Sequence, residues 1–313
     1  MTSLNYEMKY STRPRIWAVG GGKGGVGKTV ITANTAISLA QQGKLCVALD
    51  LDLGGANLHT ILGIPNPDRS LTDFLSRRVS SLAETMLPTP YPNLHFISGA
   101  KALLEMANPK FSQKEKLIRH INSLNVDYVL LDLGAGSAFN TLDFFLSADE
   151  GILVVIPEPT SVENAYHFIK AAFYRKLKRA TKKSGVVEAI DKAMVEKVAR
   201  GIQSPRTLIN NVLQINPEAG RALEEEARGF KPNIIVNQAR KHDDNELGTD
   251  IAQACQDYFG IRIRNLGHID EDDSLREAVR LRRAVVDAFP VCSFTRAIHS
   301  IVRNLLEARD EQG

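Results

Sequence analysis

Residues 22 to 29 read Gly22-Lys23-Gly24-Gly25-Val26-Gly27-Lys28-Thr29, and this octapeptide restricts the fold more than any other run in the chain. It satisfies G-x-x-x-x-G-K-[ST], a loop whose glycines let successive backbone N–H groups converge on phosphate, whose lysine reaches terminal phosphate oxygens and whose hydroxyl joins a Mg²⁺ shell. Such a loop needs a strand before it and a helix after it, so that the helix adds its positive end. Ile16 to Val19 is a short apolar run of strand character, and Val30 to Gln41 is a helical run closed by Gly43. Gly22, Gly24 and Gly27 also fit G-x-G-x-x-G, with Asp50 ending the next strand about where a dinucleotide fold carries its ribose-binding acid. That reading has no use for Lys28 and Thr29, nor for the acids further along.

Composition excludes more than it selects. At 313 residues, 43% hydrophobic and 24% charged, the chain can bury a full core, and a formal charge of +3 is too small to imply a nucleic-acid partner from the total alone. Cys46, Cys255 and Cys292 are far apart and odd in number, which argues against a disulfide framework and offers no C-x-x-C pair for zinc or a cluster. The histidines show no H-x-x-x-H spacing, Met1 to Arg15 lacks a signal-peptide core, and no stretch has the apolar length of a membrane span. A cytoplasmic setting is expected, with peripheral contact at the inner face of a membrane as a further option.

Strand-like runs alternate with helical ones: Leu45 to Asp50, Leu94 to Ser98, Tyr128 to Asp132, Ile152 to Pro157, Asn233 to Asn237 and Arg264 to His268. This alternation predicts an α/β fold with a mostly parallel central sheet flanked by helices, and functional groups at the carboxyl ends of the strands. The stretch from Pro157 to Asn233 is too long for one crossover helix. It predicts a long helix with Val162, Tyr166, Ile169, Phe173 and Leu177 on one face, then an inserted helical subdomain. The expected division is an N-terminal extension at 1–13 and an ATPase domain at 14–310 carrying a helical insertion at 178–230.

Two acidic motifs complete the pattern. Asp50-Leu51-Asp52-Leu53-Gly54-Gly55-Ala56-Asn57 puts two carboxylates where a strand opens into a loop, and Asp132-Leu133-Gly134-Ala135-Gly136 ends a strand in an acid and a glycine turn. Such acids can hold Mg²⁺-bound waters and orient an attacking water, and the glycines let the loop move when a terminal phosphate is present. A helix cap or a turn explains each acid singly. Their order along the chain argues for one site.

On these motifs the chain resembles the deviant Walker A ATPases of the MinD/ParA superfamily, and within it the FlhG (FleN) branch. Pro157-Glu158-Pro159-Thr160-Ser161 and Leu266-Gly267-His268-Ile269-Asp270 also match, so the resemblance covers most of the chain outside the insertion. It implies a P-loop NTPase fold, ATP and Mg²⁺, a homodimer formed with ATP, slow hydrolysis stimulated by a protein partner, and the positioning of a cellular assembly such as a flagellum or a division site. The implied catalytic residues are Lys23, Lys28 and Asp52, with Lys23 crossing to the other subunit's nucleotide and Asp52 orienting the water. Gly22 to Val30 would surround the phosphates, and Thr29, Asp50 and Asp132 the metal. Asn237 corresponds to the adenine-reading asparagine, or is a turn residue at a strand end, and the loop from Asp270 would close over the base. Val30 stands where a second hydroxyl is often found, and residues 1–13 lack the glutamine-rich motif of FlhG relatives.

Other outputs on the same scaffold are a DNA-partitioning ATPase of the ParA kind and an ATP-dependent amidoligase. The run from Lys170 to Lys183 offers basic charge for DNA, or a solvated helix face. Phe294, Ile298, Ile301, Val302 and Leu305 form a stripe that would suit a membrane surface or packing on the sheet, and Glu307, Asp310 and Glu311 oppose anionic lipid. A capsule-type tyrosine kinase is not supported, because no tyrosine follows Tyr258.

Overall fold

The computed structural model describes residues 13–52, 55–99, 111–181, 205–240 and 242–307. Eight strands form one sheet in the order β3-β4-β2-β5-β1-β6-β7-β8. They are β1 (Arg15–Gly20), β2 (Cys46–Leu51), β3 (Leu87–Pro88), β4 (Leu94–Ile97), β5 (Tyr128–Leu133), β6 (Glu150–Val155), β7 (Asn233–Ala239) and β8 (Arg264–Asp270). All neighbours are parallel except β3 and β4. The sheet therefore matches the α/β expectation, and β3 is the addition: two residues containing a proline carry no readable alternation, and they pair only at the edge.

The strands are buried on both faces because their side chains alternate between two cores. Ile16 and Ala18 of β1, with Val129, Leu131 and Leu133 of β5, face one cluster; Trp17 and Val19, with Tyr128 and Leu130, face the other. The first face is covered by α3 (Leu71–Leu75), α4 (Phe111–Asn122), α5 (Phe139–Phe145), α6 (Pro159–Thr181), α7 (Pro205–Ile215), α8 (Pro217–Arg228) and α9 (His242–Phe259). The second is covered by α1 (Lys28–Gln41), α2 (Leu58–Ile61), α10 (Asp273–Leu281), α11 (Val285–Ala288) and α12 (Ser293–Glu307).

The long helix expected after Pro157 is α6, and Ile169, Phe173 and Leu177 are buried along it. Part of the expected insertion, 182–204, lies outside the described residues, as does the N-terminal extension apart from Arg13. Within that expected insertion α7 and α8 pack Ile209, Val212, Leu223 and Ala227 into the same cluster as Phe173. The C-terminal stripe faces inward on α12: Phe294, Ile298, Ile301, Val302 and Leu305 are all buried in the second cluster. Those five side chains therefore present no apolar face to a membrane. No helix among the described residues is long and apolar enough to cross one.

Candidate nucleotide-binding site

The octapeptide joins the end of β1 to the start of α1, with Asp132 on the adjacent strand β5 and Asp50 on β2, one strand further out. The sheet thus gathers at its carboxyl edge what the chain spreads from Gly22 to Asp270. Lys28 opens α1 and is buried, and its Nζ donates to the Lys23 carbonyl at 3.4 Å. Burial lowers its pKa below the usual lysine value, with the charges of Asp132 and Asp52 opposing that shift. Two glycines show why the loop needs them. At Gly22 a Cβ would overlap the Asn164 carbonyl on the first turns of α6; at Gly27, where φ is 95°, it would overlap the Asn237 amide. Gly24 and Gly25 have open space over them, the form of a cradle for an oxyanion.

Asp50 and Asp132 face each other in the β2–β5 register and are fully buried. Asp50 accepts from the backbone N–H groups of Asp52 (3.0 Å) and Leu58 (3.2 Å). Burial pushes its carboxyl up to about 7 against those hydrogen bonds. Burial and then the facing charge of Asp50 push Asp132 up to about 7 as well, opposed by the hydroxyl of Thr29. Two desolvated carboxylates beside a threonine hydroxyl suit Mg²⁺, which keeps several waters and takes one or two protein carboxylates together with phosphate oxygens. Among the described residues no group of three or more acids, histidines or cysteines is placed to hold a metal ion.

Asp52 is half-buried in the loop after β2, and a Cβ on Gly134 would lie 3.4 Å from its Oδ1. Gly136 N–H donates to Gly21 O at 3.0 Å, so the glycine turn after Asp132 already touches the phosphate loop. Val30 is half-buried and packs on the second core. Asn237 is buried at the end of β7, where a register shift next to Gln238 (φ 58°) re-aims the strand, and its Nδ2 donates to Val26 O at 2.8 Å. The asparagine is therefore tied to the underside of the loop. Asp270 ends β8, exposed, 3.7 Å from His268.

Three groups were not identified as site residues from sequence. Thr32 Oγ1 lies 2.9 Å from Lys28 O and 3.3 Å from Asp132 Oδ1, one turn into α1, where a threonine ordinarily bonds back to its own helix. Glu158 and Thr160 bind Lys23: its Nζ donates to Glu158 Oε2 at 2.9 Å and to Thr160 Oγ1 at 3.1 Å. The motif containing them was visible, but nothing local pointed to a lysine so distant in the chain.

Part of the basic run is engaged by its own fold. Arg175 donates to Asp143 at 2.5 and 2.7 Å, Arg179 binds the same carboxylate, Lys176 pairs with Glu226 at 3.5 Å and Lys170 stands over the Tyr166 ring at 5.8 Å. Lys182 and Lys183 lie outside the described residues.

Comparison with known proteins agrees with this geometry. The family model described as ParA, NUBPL iron-transfer P-loop NTPase, matches residues 13–203. Antiactivator FleN of Pseudomonas aeruginosa is 28% identical over 293 residues, which are 93% of this chain and 86% of that protein. Septum site-determining protein MinD of Helicobacter pylori is 35% identical over 147 residues, 46% of this chain and 53% of the relative. That match spans about half of each protein. The solved structure of MinD from Pyrococcus horikoshii complexed with Mg-ADP has a TM-score of 0.64 at 22% identity, covering 96% of this chain and 99% of that one.

Proposed function

Since the chain belongs to the ParA family of P-loop NTPases, we propose that it is an ATP-dependent switch: it binds ATP with Mg²⁺, pairs with a second copy of itself, and separates after slow hydrolysis. The observation that carries this reading is the contrast between two lysines of one loop. Lys28 is buried in the loop it serves, whereas the Lys23 side chain is 38% exposed at its rim and its ammonium binds Glu158 and Thr160 on the surface. A second cation at the rim has little to offer its own loop, but it suits a neighbouring subunit's terminal phosphate, where it would act as an arginine finger does.

In this reading the backbone N–H groups from Gly22 to Val30 and the Lys28 ammonium hold the phosphates. Thr29, Asp50 and Asp132 hold the Mg²⁺ shell, and the ion neutralises charge on the phosphate oxygens. Asp52 orients the attacking water beside the glycine turn at Gly134. Asn237 and the loop from Asp270 border the base. The output is placement of a cellular assembly, as the names of the FleN and MinD relatives suggest, with hydrolysis stimulated by a protein partner. The setting is the cytoplasm, where three unpaired cysteines stay reduced. Iron transfer is not favoured, because Cys46 and Cys255 are buried singly in the core and, among the described residues, no cluster of metal ligands includes Cys292. A DNA matrix is not favoured either, because Arg175, Lys176 and Arg179 are engaged internally.

The decisive experiment is light scattering behind a sizing column on Asp52→Ala protein with Mg-ATP and then Mg-ADP. A dimer with ATP alone is expected. A monomer in both, with ATP demonstrably bound, would overturn the switch and favour catalysis on a small carboxylate substrate, the amidoligase alternative.

A further inference from the structure

The segment from Ile156 to Ser161 contributes no group to the phosphate or metal site, yet it binds the loop residue read above as serving the second subunit. Lys23 Nζ donates to Glu158 Oε2 and to Thr160 Oγ1, at 2.9 and 3.1 Å. The turn that presents these acceptors is braced by its own hydrogen bonds. The buried Ser161 hydroxyl accepts from Ile156 N–H at 3.1 Å, Glu158 N–H donates to Ile156 O at 2.7 Å, and Glu158 O accepts from the N–H groups of Ser161 and Val162 at 2.9 and 3.1 Å. Gly22 is seated on the first turns of α6 at Asn164, so loop and turn form one unit.

Glu158 also lies in the field of a second cation, Arg240, which is paired with Glu271 at 2.6 Å beside Asp270. When Lys23 leaves, Glu158 therefore retains a cation nearby. The contact is also weak enough to break. Lys23 and Glu158 are 38% and 53% exposed, and ion pairs in water are worth little each.

We propose that Glu158 and Thr160 form a clasp that holds Lys23 within its own subunit, a positioning pair that the lysine must leave before it can reach a second nucleotide. The clasp sets how readily two subunits join. This rests on the reading of Lys23 as the group that crosses the interface.

The test compares Asp52→Ala protein with the same protein carrying Glu158→Gln, by sedimentation equilibrium in Mg-ATP. The double variant should pair roughly two- to thirtyfold more tightly, the range for two exposed charge-assisted contacts released per dimer. ATP affinity measured below the pairing concentration should match that of the parent. Glu158→Asp, which keeps the charge on a shorter arm, should fall between the two. Equal or weaker pairing in Glu158→Gln overturns the clasp. A second readout needs no dimer: in nucleotide-free protein, acetylation of Lys23 by an acylating reagent, followed by mass spectrometry, should be severalfold faster in Glu158→Gln than in the otherwise wild-type chain. Equal rates overturn the clasp independently. Failure of the parent to pair with ATP bound overturns the switch reading itself, and pairing with equal constants overturns only the clasp.

Discussion

Lys28 and Lys23 lie five residues apart in one loop, and their surroundings differ. Lys28 has lost its water to α1 and two nearby acids, so its charge is available to phosphate at little further desolvation cost. Lys28→Ala should abolish nucleotide binding, a loss of at least tenfold by calorimetry given roughly 1.5–3 kcal/mol for a charged hydrogen bond. Lys23→Ala should bind ATP within about twofold of wild type and fail to pair. Normal pairing by Lys23→Ala would falsify the role of Lys23 across the dimer interface. The identity of both lysines was legible because the loop pattern is local. The partners of Lys23 were not, since Glu158 and Thr160 lie 135 and 137 residues away.

Among the elements, α5 and α6 show how position in a helix differs from fate in a fold. The basic residues of α6 look in sequence like a charged face open to a polyanion, yet Arg175 and Arg179 converge on Asp143 of α5, which Lys114 of α4 binds at 2.5 Å. Asp143 is buried, which works against its charge, but hydrogen bonds from Arg175 and Lys114 and the charge of Arg179 outweigh burial and hold its carboxyl down to about 2. The folded pKa is thus below the unfolded value of about 3.9, so the stabilisation is present above that pH and is lost as pH falls from about 4 toward 2. It amounts to roughly 2 to 3 kcal/mol. Asp143→Asn should flatten this acid limb in urea titrations at pH 2 to 5; an unchanged limb would show that the three cations are neutralised elsewhere. α12 repeats the lesson. Its apolar stripe was visible at helical spacing, but the choice between lipid and core was made by α1 and the sheet, against which it packs.

For the whole molecule, the nucleotide site is a seam among strands from both halves of the chain, so occupancy should stabilise the entire domain. At a Mg-ATP concentration one hundred times its dissociation constant, the gain is about 2.7 kcal/mol if the unfolded chain does not bind. Differential scanning calorimetry should show this as a rise of several degrees in Tm for wild type and Asp52→Ala, and at the same Mg-ATP concentration a rise about half as large or less for Lys28→Ala. An equal rise in Lys28→Ala would place the nucleotide elsewhere.

The sequence by itself determined the strand, loop and helix around Gly22 to Thr29, the parallel sheet, and the acids at the ends of β2 and β5. Each of these depends on patterns a few residues long: glycine spacing, an apolar run, an acid at a strand end. Tertiary structure alone decided that Asn237 supports the loop from below, that Asp50 and Asp132 meet as a desolvated pair, that Arg175 and Arg179 of α6 turn onto Asp143, and that Lys23 is held by Glu158. Those outcomes join residues as far as 211 positions apart. Charge and hydrogen-bonding capacity are properties of a residue type, but which partner satisfies them depends on the packing that removes water and brings distant strands and helices together.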